Sequence, residues 1–70
     1  MLNSKTYVTL ERVVKASSVG ISALELLFNG NNAVFIGNDE DFEFVKVIEQ
    51  LTYNNEYSKI LDLINEYKNR

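Results

Sequence analysis

The chain has 70 residues and a formal charge of −3, with seven Lys and Arg against ten Asp and Glu, three Gly, and no Pro, Cys, His or Trp. That length gives one domain, 1–70, with a small core. The missing residue types exclude disulfides, thiolate metal sites, Ser-His-Asp triads, Cys nucleophiles and imidazole bases. An acidic balance with only scattered cations (Lys5, Arg12, Lys15, Lys46, Lys59, Lys68, Arg70) also makes direct nucleic-acid binding an unfavourable expectation.

The 46% apolar content suits a folded chain, whose stability has to come from packing or from self-association. Gly20, Gly30 and Gly37 are too widely spaced for a phosphate-binding loop. The longest apolar runs, Leu26 to Phe28 and Ala33 to Ile36, fall far short of the roughly 20 residues that cross a bilayer, and residues 1–20 hold no signal-peptide core. The expectation is therefore a cytoplasmic protein, not an enzyme, with no cofactor, no metal and no membrane association. Nine Asn fit an AT-rich genome, such as that of a low-GC bacterium or its phages.

Along the chain, texture changes near residue 38, from Val, Thr, Ile and Phe to Glu, Leu, Lys and Asn. Residues 5–16 (KTYVTLERVVKA) carry high β propensity, with Val8, Leu10, Val14 and Ala16 alternating onto one face and Tyr7, Thr9, Glu11, Val13 and Lys15 onto the other. Residues 21–29 read as a second strand, with Leu24, Leu26 and Phe28 opposite Ile21, Ala23, Glu25 and Leu27. Asn29-Gly30 is a tight-turn signal, and 32–37 return as a third strand. A competing reading takes Ser22 to Glu25 as a capping box and places two short helices in residues 9–30, as in a helix-turn-helix. The β-branched residues between 10 and 16 and the lack of a good cap count against it.

Residues 39–52 place Phe44, Val47, Ile48 and Leu51 on one helical stripe, with Val45 on its flank and acidic residues at the favourable N-terminal end. Alternation of Phe42, Phe44 and Lys46 leaves a strand at 42–48 as an alternative. Residues 55–69 form the clearest helix, through Tyr57, Ile60, Leu61, Ile64 and Tyr67, with Asn54 or Asn55 as its cap. The predicted architecture is α+β: a three-stranded antiparallel sheet (5–16, 21–29, 32–37) covered on one face by two helices (39–52, 55–69).

Two features carry the functional expectation. Asp39, Glu40, Asp41 and Glu43 put four negative charges within five residues. With Phe42 and Tyr53 they make a candidate protein-binding patch for a basic partner surface, weighed against a plain solvated helix start. Oxygen ligands for a divalent cation are a weaker reading, because no calcium-loop spacing is present. The second feature is the sheet face that the helices leave bare: Tyr7, Val13, Ile21 and Leu27, extended by Phe35 or by Val34 and Ile36. A face so apolar predicts a homodimer, or a surface for another protein. The resulting expectation is a small acidic interaction module, a regulator or inhibitor, of phage or mobile-element origin, that occupies a basic surface on a larger protein. The alternative is a dimeric nucleic-acid-binding regulator with a helix-turn-helix near residues 9–30.

Overall fold

The computed structural model describes residues 5–28 and 33–69. Its elements run β1 (Thr6–Val8), α1 (Leu10–Val19), α2 (Ile21–Phe28), β2 (Ala33–Phe35), α3 (Asp39–Tyr53) and α4 (Tyr57–Lys68). The class is α+β, and the two C-terminal helices lie where apolar periodicity places them. The N-terminal half departs from expectation. In place of three antiparallel strands its described residues form two three-residue strands that pair in parallel, with two helices between them in the chain.

The reason lies first at Thr9. Its backbone is extended, and its hydroxyl oxygen accepts the amide of Arg12 at 3.3 Å, an N-cap that stops β1 and opens α1 one residue later. Leu10, Val13 and Ser17 then fall on one buried stripe at helical spacing, as do Leu24 and Phe28 in α2. β propensity reports fit to a pleated surface, and here packing on a helical period wins over it.

Gly20 is the only residue between the two helices. Its amide donates to Ala16 at 3.1 Å, and its carbonyl accepts from Leu24 at 3.3 Å, so one residue closes α1 and opens α2. Its φ of 152° lies where side-chain-bearing residues are strained. Ser22 therefore sits inside the first turn of α2 and is not its cap.

Two parallel strands cannot be joined by a tight turn; they need a crossover, and α1 with α2 supplies it. The register is Thr6↔Ala33, Tyr7↔Val34 and Val8↔Phe35, and the amide of Ile36 donates to Val8 at 2.9 Å. The expected hairpin turn at Asn29-Gly30 lies outside the described residues.

One continuous core joins Val8, Leu10, Val13, Leu24, Phe28, Val45, Ile48, Ile60 and Ile64, with Ala33 and Phe35 of β2 packed on its rim. Its two buried polar residues donate back into their own helices, Ser17 Oγ to Val14 and Thr52 Oγ1 to Ile48, both at 2.7 Å. The Tyr57 hydroxyl donates to the Ser17 carbonyl and ties α4 to the end of α1. Asn54 and Asn55 do not cap α4. They close α3, with Asn55 at a φ of 61° and the Glu56 amide donating back to Leu51. No described helix is long and apolar enough to cross a membrane.

Candidate functional site

The site is organised by α3. Asn38 caps it, its side-chain oxygen accepting the Asp41 amide at 2.8 Å, so Asp39, Glu40 and Asp41 form the first turn, where the helix dipole favours carboxylates. Residues 42–48 are helical, which removes the strand alternative. With 100° between successive residues, the predicted patch cannot lie on one surface. It divides between two flanks of the helix.

On one flank an open groove of about 310 Å³ is lined by Glu40, Asp41, Glu43, Phe44, Val47 and Tyr67. The rings of Phe44 and Tyr67 stand 5.4 Å apart at 34°, so α4 supplies the far wall. Val47 is 49% exposed. The stripe expected from the sequence is thus rotated: Val45, Ile48 and Thr52 are buried, and Val47 turns outward because α3 must face α1, α2 and α4 together. Among the described residues, Asp39, Asp41 and Glu43 have no cation within ion-pair distance. The groove combines carboxylates with an aromatic and aliphatic floor, which suits a long cationic side chain: stem on the rings, charge among the acids.

The other flank carries Phe42 and Tyr53. They are eleven residues apart, nearly in line along the helix and about 16 Å apart. Lys46 and Glu49 fill the interval. The Lys46 ammonium lies 5.8 Å from the Phe42 ring centre and 3.4 Å from Glu49, and the Tyr53 hydroxyl donates to Glu49 at 3.0 Å. Partial desolvation and the neighbouring Glu49 carboxylate raise the Tyr53 phenol above its ordinary value. The flank borders β2, since Phe42 meets the Phe35 ring at 5.7 Å.

The expected self-association face is not assembled. Val13 is wholly buried in the core, and Ile21 and Leu27 pack against its edge, because these residues belong to helices of period 3.6 and not to strands of period 2. Of Tyr7, Val13, Ile21 and Leu27, Tyr7 alone is exposed. The ladder sets it beside Val34, and Ile36 is 53% exposed on the same side, so one small apolar strip survives on the outer side of the sheet. Residues the sequence reading missed are Phe44, Val47 and Tyr67, which it assigned to the core. The available signal was acid and apolar residues four apart, Glu40 with Phe44 and Glu43 with Val47. Val19, next to Gly20, and Leu26, in the last turn of α2, are 80% and 78% exposed and were also missed.

Among the described residues no three carboxylates converge as metal ligands, and every buried side-chain nitrogen or oxygen has a partner. The chain matches no family model, no curated protein and no solved structure.

Proposed function

We propose that the chain is a small, non-catalytic, acidic protein-interaction module, a regulator or inhibitor that engages a basic surface of a larger protein through the groove beside α3. The observation that carries this reading is the setting of Glu40, Asp41 and Glu43, exposed or half-exposed around an apolar floor of Phe44, Val47 and Tyr67, with exposed Asp39 in the same first turn of α3. Carboxylates on a plain solvated helix start have no such floor. The apolar floor adds contact area to charge complementarity, which by itself contributes mainly to association rate and specificity.

The test is an NMR titration with an arginine-containing hexapeptide at two salt concentrations. Shifts should concentrate at residues 39–44, Val47 and Tyr67 and weaken at high salt. Changing Asp39→Asn, Glu40→Gln and Asp41→Asn together should abolish them. Shifts spread evenly over all acidic residues, or unchanged in the triple variant, would remove the groove from the proposal.

The helix-turn-helix alternative is favoured by one observation, the two helices meeting at Gly20. Its chemistry is poor. The second helix would read bases, yet α2 exposes Ser22, Glu25 and Leu26 and contains no cation. Salt-dependent binding of duplex DNA by the intact chain would reverse this preference.

A further inference from the structure

The two edges of the sheet differ. In a parallel ladder the N–H and C=O of one residue point to the same side, alternating along the strand. Because Ile36 donates to Val8, Val34 and Ile36 face β1, and the backbone groups of Ala33 and Phe35 face outward. On β1 the outward residue is Tyr7, and its carbonyl is already taken: the Arg12 guanidinium donates to it at 2.8 Å. A charged side chain folded over an edge strand blocks further pairing there. Among the described residues, no group hydrogen-bonds the outward N–H or C=O of Ala33 or Phe35.

We infer that a second copy of this chain adds to the sheet along β2, giving the strand order β1–β2–β2–β1 about a two-fold axis. The sequence of β2 is self-complementary for antiparallel pairing. With Val34 on the axis opposite its own copy, each Ala33 faces the partner copy's Phe35, small against large, and these are the residues whose N–H and C=O point outward. Val34 against Val34 is a favourable β-branched pair. The charge arrangement also fits. Each acidic segment begins four residues after Phe35, so antiparallel pairing sends the two segments to opposite ends of the joint sheet. Two strands alone are a marginal sheet, and parallel pairs are the weaker kind; four strands pass the usual threshold for independent stability. This inference does not depend on the groove beside α3.

The test is the mass of the intact chain by sedimentation equilibrium over a wide concentration range. The expected result is a doubling from 8.0 kDa. Ala33→Pro removes an outward N–H and no bond between β1 and β2, and should return the mass to that of one chain with the helical circular dichroism unchanged. Should that variant fail to fold, Val34→Lys sets like charges face to face on the axis and should have the same effect. The triple acidic variant should remain dimeric, which separates this inference from the groove. Amide exchange at Ala33 and Phe35 should slow as concentration rises. A single-chain mass at all concentrations overturns the inference, as does a dimer that survives both β2 variants. Protection of those amides only on adding a foreign extended peptide assigns the edge to another partner and overturns it too.

Discussion

The two flanks of α3 hold similar residues and treat them in opposite ways. Towards β2, Phe42, Lys46, Glu49 and Tyr53 form a chain in which each polar group meets its neighbour on the same helix. Towards α4, Asp41 and Glu43 surround a groove with no described cation in ion-pair reach. One flank satisfies its own charges; on the other, Asp41 and Glu43 meet no described cation. A net charge of −3 says little until it is known which carboxylates are already partnered.

The comparison breaks most completely at Ile48, wholly buried beneath both flanks. Ile48→Ala should cost about 2–5 kcal/mol, a large part of the stability of so small a domain, in a urea titration. Both flanks should lose their chemical-shift dispersion together. Asn38→Ala separates them. It removes the cap on Asp41 and should cost about 1 kcal/mol, with faster amide exchange confined to the first turn of α3 and the stripe from Lys46 to Tyr53 unchanged. Lys46→Ala acts on the other side. An exposed ion pair and a surface cation–π contact should together contribute no more than about 1 kcal/mol. Its clearer effect should be tighter binding of a cationic peptide by the acidic groove.

The smallest effect concerns pH. The Tyr53 phenol has a raised pKa in the folded chain, so the folded form holds its proton longer than the unfolded form does. That contribution is complete below the ordinary tyrosine value and is lost as pH climbs through the raised one. At 51% exposure the stability change is slight, so the readout is the ultraviolet phenolate band. The Tyr53 phenolate should appear above the ordinary tyrosine value, and Glu49→Gln should bring it earlier.

Helices α3 and α4 were legible because their apolar stripes are long, although the cap expected for α4 at Asn54 or Asn55 closes α3 instead and α4 has no side-chain cap. The acidic residues of the site were legible as well, being contiguous in the chain. The groove was not: it exists only once α4 places Tyr67 against Phe44, and no local pattern encodes that contact. The N-terminal half was misread for a related reason. Val13 and Val14 are good strand residues in isolation, and α1 is only ten residues long, so periodicity had little room to assert itself. Thr9 as a cap and Gly20 as a joint were the deciding residues. The helical alternative for 9–30 placed two short helices around a turn but set a cap at Ser22, which lies inside the first turn of α2.

The link from Tyr57 to Ser17 spans 40 residues, and the ladder joins Thr6 to Ala33. Together they sew the start of the chain to its middle and the end back to the first helix. Helices can form locally and quickly, but neither of these closures can. Both closures join distant parts of the chain, so native pairing of β1 and the tie between α1 and α4 each carry a loop-closure cost. Neither half of the chain should persist alone, and amides in β1 and α4 should exchange through the same global opening.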